Sequence, residues 1–460
     1  MSATPTQKTA LVAGPILALL AAYLMSAADF SDAAAVTLGI TVLCILWWLL
    51  EPIPIPATSL LPLALLPMFG VLTPEEVAGS YGNPLILLLL GGFILSTALA
   101  GNGAHRRIAL TMVRAFGGGS SRRLVFGFMA ASALLSMWIS NAATTLMLLP
   151  VGLAVLDRSE DPDLARPLLL GIAYAASIGG MGTPVGTPPN AIFMGIYEQL
   201  VGESVSFAQW MTWGIPVVLV FVPAAALWLT RGLTHTGTID LLDPGPWRAA
   251  EVRVLAVFAV TALLWITRQE PFGGWSALLG TPDAHDYVVG FLAVAALCLI
   301  PNGTGGRLLD WETAERIPWG MLILFGGGIA IAEGITKSGL SEAMGGLLSG
   351  LATLPTLLTM FAICLGITFV TEATSNTATA TLMMPIMAAA ALAAGVDPML
   401  YMVPAALAAS SGFMLPVATA PNVIVFSTGR FSTREMAVEG FALNLMGIFI
   451  ISIVCYLIIA

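Results

Sequence analysis

Two short stretches of the sequence carry side chains that can bind small ions, and the two stretches match each other. Residues 138–150 read WISNAATTLMLLP, and residues 371–385 read TEATSNTATATLMMP. Each contains Ser-Asn, then small residues and threonines, then a Leu/Met run that ends in proline, and Ser140 and Ser375 are 235 positions apart. Hydroxyl and amide oxygens, with carbonyls freed from a helix, are hard neutral ligands that suit a cation such as Na⁺. The unpaired N–H groups at a helix start suit an anion.

Two further motifs repeat in the same order at nearly the same spacing. LGG at 90–92 matches FGG at 325–327, again 235 positions apart. PVGTPPN at 184–190 matches PVATAPN at 416–422, with a spacing of 232. Three motifs in one order at one spacing indicate two related halves of about 200 residues each.

The composition places the chain in a membrane. Hydrophobic residues make up 58% of it and charged residues only 9%, whereas a soluble domain has about 25% charged residues. Several apolar runs of about 17–25 residues are long enough to cross a bilayer. The four cysteines lie in apolar runs without CxxC spacing, which predicts neither disulfides nor a metal framework. The three histidines lie in loops and no acid pair is found at membrane depth, so an intramembrane enzyme is disfavoured.

The apolar spans predict an all-α polytopic protein with about eleven transmembrane helices. Residues 124–156, basic at both ends, would form a helix about 50 Å long against a hydrocarbon core of about 30 Å. They are therefore predicted as a re-entrant hairpin with 140–144 at its tip, and 346–390 as a second hairpin with 375–377 at its tip. Two spans are predicted to unwind at proline and glycine, near 182–190 and 415–422. The spans are 10–27, 35–50, 54–71, 83–100, 165–200, 212–230, 252–267, 286–301, 319–334, 400–430 and 437–459.

The basic residues predict the orientation. With the N-terminus in the cytoplasm and the C-terminus outside, 15 of the 17 Lys/Arg residues fall inside, the exceptions being Arg268 and Lys337. The basic segment 105–123 is predicted to be an interfacial helix at the cytoplasmic face of the inner membrane. An odd number of crossings separates the hairpins, so the halves are inverted. Inverted repeats with paired broken helices near the midplane are typical of secondary transporters.

The charges near the motifs narrow the chemistry further. Irregular backbone at membrane depth survives only where it is buried in protein or lines a cavity, so the two tips and two broken spans are expected to converge on one site. No Lys, Arg or His lies within these four motifs. A multiply charged anion would need bound cations to balance it, which favours cation-coupled anion transport. Glu372 is the one acid in the motifs. It either offsets the cations or hydrogen-bonds within its hairpin.

At these residues the sequence resembles the divalent anion/sodium symporters, also called the INDY-type dicarboxylate transporters. That family has paired Ser-Asn-Thr motifs at two opposed hairpin tips and paired unwound loops of the Thr-Pro-Pro-Asn type, and the resemblance covers essentially the whole chain. It implies a homodimer that works by an elevator mechanism. The scaffold would comprise residues 1–120 and 250–345, and the mobile transport domain residues 121–249 and 346–460.

The resemblance also implies at least two sodium sites and one anion site. The first sodium site would use Ser136, Ser140, Asn141 and Gly186. The second would use Thr371, Thr374, Asn376 and Ala418, partly through backbone carbonyls. The substrate carboxylates would contact Ser140 and Asn141 on one side and Ser375, Asn376 and Thr377 on the other, with Thr419, Ala420 and Val425 lining the pocket.

Two residues depart from the family pattern. Ala142 stands where the first motif usually has Thr, and Ala420 where the second loop usually has its first Pro. The leading hypothesis is sodium-coupled symport of C4-dicarboxylates such as succinate, malate or fumarate. The alternatives are a sodium-independent dicarboxylate exchanger and a carrier of sulfate or another oxyanion. The expected partners are the dicarboxylate, sodium ions, membrane lipid and a second copy of the chain, with no nucleic acid.

Overall fold

A computed structural model describes residues 5–116, 120–235, 245–269, 273–281, 284–340 and 354–460. Within these ranges the chain is helical, and a single bridge between Pro301 and Arg307 is the only β-type pairing. The predicted all-α architecture is confirmed. Nine helices in these ranges are long and apolar enough to cross a membrane.

In the first half of the chain the described residues form twelve helices. Their bounds are α1 Pro5–Ala27, α2 Asp32–Leu50, α3 Ile55–Thr58, α4 Leu61–Met68, α5 Pro74–Tyr81, α6 Pro84–Gly101, α7 Ala104–Phe116, α8 Ser121–Ser136, α9 Asn141–Leu156, α10 Ala165–Gly180, α11 Pro188–Val201 and α12 Phe207–Leu229.

In the second half the structure describes ten α-helices and a 3₁₀ turn. Their bounds are α13 Ala249–Ile266, α14 Gly274–Leu278, α15 Asp286–Leu299, α16 Trp311–Ala314, α17 Trp319–Lys337, α18 Thr356–Ala373, α19 Asn376–Ala394, α20 Met399–Ala408, the 3₁₀ turn Pro416–Ala418, α21 Ala420–Phe426 and α22 Thr433–Ile459. The start of the second predicted hairpin, 346–353, lies outside the described residues.

The repeated motifs occupy equivalent places in the two halves. Helices α8 and α9 form the first hairpin and α18 and α19 the second, with turns at 137–140 and 374–375. The predicted first tip, 140–144, is wrong in detail, because Ser140 caps α9 and Thr144 is fully buried inside that helix. The predicted breaks are also found, at 181–187 between α10 and α11 and at 409–419 between α20 and α21.

One predicted span is discontinuous. Residues 54–71 contain two short helices, α3 and α4, separated at Ser59 and Leu60. Pro62 has no N–H to continue the hydrogen-bond ladder of α3. The Ser59 hydroxyl accepts a hydrogen bond from Trp48 Nε1 at 2.9 Å, and the Ser59 carbonyl accepts one from Tyr81. Side chains thus provide hydrogen-bond partners at the break.

The broken helices form the centre of the molecule. Every residue of α10 from Pro167 to Gly180 is buried, as is every residue of α20 from Tyr401 to Ala408. By contrast α1 turns large apolar side chains outward, among them Val12, Leu19 and Tyr23. A core of this kind, wrapped by helices with apolar outer faces, fits a protein that lies in lipid.

Charged groups near the ends of the spans are paired. Arg268 forms a buried ion pair with Asp286, and Lys337 pairs with Glu76, so the two basic residues that deviate from the predicted charge bias each have an acidic partner. The basic segment 105–123 is divided between two helices: its first part lies in α7, where Arg106 is exposed, and Arg122 and Arg123 lie in the first turn of α8. Arg107 is buried and donates from Nε to Glu251 at 2.7 Å, which ties α7 to α13.

The predicted inversion of the two halves can be tested at two equivalent loops. In a background without the four native cysteines, Glu160→Cys lies after the first hairpin and Ala393→Cys at the end of the second. We expect a membrane-impermeant thiol reagent applied to intact cells to label Ala393→Cys and to spare Glu160→Cys, because an odd number of crossings separates the two sites. Both should be labelled after the membrane is permeabilised. Labelling of both sites in intact cells would show that the halves are not inverted.

Candidate functional site

The two hairpin tips and the two broken helices converge on one cavity of about 440 Å³. Its size is in the ordinary range for a small-molecule site. Nine of the predicted site residues line it: Ser140, Asn141, Gly186, Ser375, Asn376, Thr377, Ala418, Thr419 and Ala420.

Four helix starts face this cavity. Ser140, Thr187, Ser375 and Thr419 are the N-cap residues of α9, α11, α19 and α21, and all four line it. The hydroxyls of Ser140, Ser375 and Thr419 accept the N–H groups of the third residue beyond them at 3.1–3.3 Å. Further N–H groups in the first turns of α9, α19 and α21 lack helical partners, whereas Pro188 and Pro189 at the start of α11 have no N–H group. The helix dipoles add partial positive charge. These partial charges can therefore attract an anion to the cavity although no formally charged side chain is among its described lining residues.

The opposite wall of the cavity is apolar. It consists of Leu89 and Phe93 from α6, and Met321 and Phe325 from α17. No Lys, Arg, His, Asp or Glu is among the residues that line the cavity in the described part of the chain. A dianion bound here would contact helix starts and hydroxyls on one side and hydrocarbon on the other.

Oxygen atoms crowd together where the first tip meets the first broken helix. The side-chain amide of Asn141 lies 2.7 Å from Ser136 Oγ and 3.2 Å from the carbonyl oxygens of Ala176 and Gly186. With its nitrogen turned inward, Asn141 donates to these oxygens. With its oxygen turned inward, four oxygens converge, and a small cation would satisfy them together. Three of the four first-site residues that the resemblance implies, Ser136, Asn141 and Gly186, are thus brought together.

The second repeat contains the matching arrangement. Thr371 Oγ1 lies 2.9 Å from Asn376 Oδ1 and 2.9 Å from the carbonyl oxygen of Ala409. Thr371 is the counterpart of Ser136, because these two residues are separated by 235 positions, the same spacing as Ser140 and Ser375. The Thr374 hydroxyl turns away from this cluster, because it donates to Val370 O at 3.0 Å and contacts Thr379 Oγ1.

The asparagine that ends each Pro-Asn motif fixes its loop. Asn190 Nδ2 donates to the carbonyls of Gly180 and Thr183, at 2.9 and 2.7 Å. Asn422 Nδ2 donates to the carbonyls of Gly412 and Leu415, at 3.1 and 3.0 Å. Both asparagines lie in the loops that the sequence predicts to form the site, but the sequence does not predict this bonding role. The paired motif was the signal.

Glu372 holds the second loop from the other side. Its carboxylate, 5% exposed, accepts the consecutive backbone N–H groups of Phe413, Met414 and Leu415 at 2.6, 2.8 and 3.1 Å. It also accepts from Asn444 Nδ2 of α22 at 2.7 Å. These partners lie outside the hairpin, so Glu372 is a loop anchor. The alternative, a hydrogen bond from the Glu372 side chain to another residue of its hairpin, is not found among the described residues. Asn444 was missed because nothing local in α22 marks it.

Glycines allow the tips and loops to approach each other. A Cβ at Gly180 would lie 2.5 Å from Asn141 Oδ1, and one at Gly186 would lie 2.5 Å from Gly180 O. Neither position has room for a side chain. The first oxygen cluster therefore depends on two glycines as well as on its ligands.

Four of the predicted site residues do not line the cavity. Ser136 and Thr371 lie behind the tips in the oxygen clusters, and Thr374 is directed away as described. Val425 is fully buried in α21, and Val423 lines the cavity in its place. Side chains two positions apart in a helix point in different directions, so only one of Val423 and Val425 can face the cavity.

Comparison with known proteins identifies relatives over nearly the whole chain. A family model described as a citrate transporter matches residues 45–406. The sodium-dependent dicarboxylate transporter SdcS of Staphylococcus saprophyticus is 40% identical over 478 residues, covering 98% of this chain and 91% of the relative. The protein of the same name from Staphylococcus aureus is 40% identical over 475 residues, with the same coverage.

A likeness of fold extends further. The crystal structure of the Alcanivorax borkumensis YdaH transporter, described as revealing an unusual topology, superposes with a TM-score of 0.59. The match covers 83% of this chain and 86% of that chain at 15% sequence identity.

Gly180 offers a test of the first oxygen cluster. In Gly180→Ala the new methyl would displace Asn141, so we expect a loss of about 1–3 kcal/mol of stability and loss of any Na⁺-dependent rise in the melting temperature of the purified protein. Gly412→Ala is the matched control, because its Cβ would lie 3.2 Å from Ala418 Cβ and 3.6 Å from Asn376 Oδ1. Equal Na⁺ stabilisation of Gly180→Ala and wild type would argue against a cation at this cluster.

Glu372 offers a test of the loop anchor. Glu372→Gln replaces an acceptor with an NH₂ group that faces a backbone N–H, so we expect unfolding to become easier by about 2–3 kcal/mol, seen as a lower melting temperature. Glu333→Gln is the control. Glu333 also lies in a membrane-spanning helix and accepts a hydrogen bond from Ser80 at 2.8 Å. If both variants lost the same small amount of stability, the anchoring role of Glu372 would be wrong.

Proposed function

The chain belongs to the citrate transporter family, and we propose that it is a sodium-coupled symporter of C4-dicarboxylates such as succinate, malate or fumarate. Family membership makes it a multi-pass membrane transporter and not an enzyme. The observation that supports the proposal best is the cavity itself. Four helix starts and two oxygen clusters surround it, and no basic side chain lines it in the described part of the chain.

The charges favour coupling to cations. A dicarboxylate carries two negative charges, and the partial charges of helix starts do not offset both in a site with an apolar wall. Two monovalent cations beside the tips would make the loaded site nearly neutral, which lowers the cost of moving it through the membrane. The anion and the cations would then bind well only together. This mutual dependence is what couples their transport.

We assign one sodium site to each oxygen cluster. The first comprises Ser136, Ser140, Asn141 and Gly186, and the second Thr371, Asn376 and Ala418, with Thr374 contributing through its backbone. The two asparagines lie between the cation clusters and the cavity, since each amide belongs to a cluster and also lines the cavity wall. Each asparagine can therefore contact both the bound cation and the substrate.

The substrate carboxylates are assigned to the two tips. One would contact Ser140 and Asn141, and the other Ser375, Asn376 and Thr377. Thr419 and Ala420 contribute to the wall between the tips. We favour a C4-dicarboxylate over citrate because the relatives at 40% identity are named as dicarboxylate transporters. In addition, no basic residue among those described lines the cavity to hold a third carboxylate.

We propose an elevator movement, with the division into scaffold and transport domain that the family resemblance implies. Residues 121–249 and 346–460 would form a transport domain that slides against a scaffold of 1–120 and 250–345, in a homodimer. The apolar wall from α6 and α17 belongs to the proposed scaffold, and the polar tips to the transport domain. A sliding movement needs a dry, weakly bonded boundary of this kind. We place the protein in the inner membrane with a cytoplasmic N-terminus and an external C-terminus.

Uptake of labelled succinate into proteoliposomes tests the coupling. With an inward Na⁺ gradient we expect accumulation above equilibrium, and without Na⁺ we expect uptake at least about tenfold slower. Unlabelled malate and fumarate should compete, and citrate and sulfate should compete weakly. Uptake that ignores Na⁺ but requires internal dicarboxylate would make the protein an exchanger, and strong competition by sulfate would favour an oxyanion carrier.

The two asparagines test the assigned residues. Asn141→Ala and Asn376→Ala each remove an amide from both a cation cluster and the cavity, so we expect each to lower Na⁺-driven uptake by at least about 100-fold. The control is Asn302→Ala, in an exposed turn remote from the cavity. Folding is checked by gel filtration. Wild-type uptake by both tip variants would mean that the site lies elsewhere.

A further inference from the structure

The two repeats place different side chains at two equivalent positions of the cavity. Ala142 is the counterpart of Thr377, 235 positions on, and Ala420 is the counterpart of Pro188, 232 positions back. All four line the cavity. A third differing pair, Gly186 and Ala418, also lines the cavity, but Ala418 is only 2% exposed. The first two pairs therefore account for most of the difference between the two repeats at the cavity surface.

Both alanines lie on elements that pack together. Ala142 is the second residue of α9 and Ala420 the first of α21, and α21 packs against α9. In the same way Thr377 and Pro188 start α19 and α11, which pack against each other. We call the first pair the alanine corner and the second the threonine–proline corner. Two alanines have four fewer side-chain heavy atoms than threonine and proline together, so the alanine corner is wider.

The surface beside the alanine corner is apolar and open. Val417 and Val423 line the cavity there and are 77% and 49% exposed. Their counterparts in the first repeat, Val185 and Ala191, are 8% and 0% exposed. The extra room is therefore bounded by hydrocarbon, which favours an alkyl group over a hydroxyl or a third carboxylate.

We propose that the cavity accepts C4-dicarboxylates that carry one alkyl branch beside one carboxylate, and rejects those branched beside both. This rests on the proposed function and specifies its substrate class. A dicarboxylate held between the two tips presents one α-carbon to each corner. A methyl at the alanine corner contacts Ala142, Ala420 and Val417, whereas a methyl at the other corner meets the Thr377 side chain and the Pro188 ring.

The test compares three probes in Na⁺-driven uptake by the full chain: succinate, methylsuccinate and 2,3-dimethylsuccinate. We expect the KM for methylsuccinate to be within about threefold of that for succinate, and the KM for 2,3-dimethylsuccinate to be at least about tenfold higher. Rejection of methylsuccinate would show that the alanine corner has no room for a methyl group. Equal acceptance of 2,3-dimethylsuccinate would show that the threonine–proline corner does not exclude one.

A swap of residues between the repeats tests the cause. Ala142→Thr with Ala420→Pro gives the alanine corner the residues of its counterpart, at helix starts that tolerate both types. We expect the ratio of KM for methylsuccinate to KM for succinate to rise at least about tenfold. Ala142→Thr alone, which serves if the double variant does not fold, should raise this ratio about fourfold. An unchanged ratio in the variant that folds would overturn the proposal.

The matched control opens the other corner. Thr377→Ala with Pro188→Ala should weaken uptake of succinate and methylsuccinate alike and improve 2,3-dimethylsuccinate relative to both. If 2,3-dimethylsuccinate did not improve relative to the other two substrates, the assignment of the narrow corner would be wrong. If wild-type protein shows no Na⁺-driven uptake of succinate, the proposed function fails. If it transports succinate and the ratios do not respond, only the present proposal fails.

Discussion

The structure depends on how the backbone of two broken helices is satisfied at membrane depth. An unwound segment exposes carbonyl and N–H groups, and lipid offers no partner for them. Asn190 and Asn422 each donate two hydrogen bonds to backbone carbonyls that lie seven and ten residues earlier in the chain, where the preceding helix ends and the loop begins. Each asparagine therefore closes its loop on itself. The carbonyls that remain, such as that of Gly186, are free to face the tip of the hairpin.

The oxygen clusters exist because these closed loops touch the hairpin tips. Gly180 and Gly186 permit contact so close that a single methyl would not fit. The amide of Asn141 then reaches carbonyls of both α10 and the loop that follows it. A tip or a loop alone would provide only part of each cluster. The ligand geometry is thus a property of the contact, and any movement that separated tip from loop would destroy it.

The sequence predicted the fold and most of the residues that line the cavity because both the Ser-Asn motif and the proline loop occur twice in the chain. One Ser-Asn stretch in a membrane helix is compatible with simple packing, whereas two in register with paired proline loops are not. What was missed depends on side-chain direction and on distant partners. Val425 and Val423 lie in the same short helix, and only the three-dimensional position of α21 decides which one lines the cavity. Asn444 contacts Glu372 across 72 residues, with no local pattern to mark it.

The two halves differ most in how their loops are held. In the second, a carboxylate gathers three consecutive N–H groups. Met137 stands at the equivalent position of the first half, where Thr183 donates to the Met137 carbonyl and Trp210 Nε1 donates to Met181 O at 3.0 Å. The second loop is thus anchored by a carboxylate that accepts its N–H groups, and the first by neutral hydrogen bonds through the Thr183 hydroxyl and the Met181 carbonyl. The asparagines, the hydroxyls of the clusters and the helix starts are the same in both. The oxygen geometry around the cavity is therefore the part that both halves keep, and the anchoring behind it is free to differ.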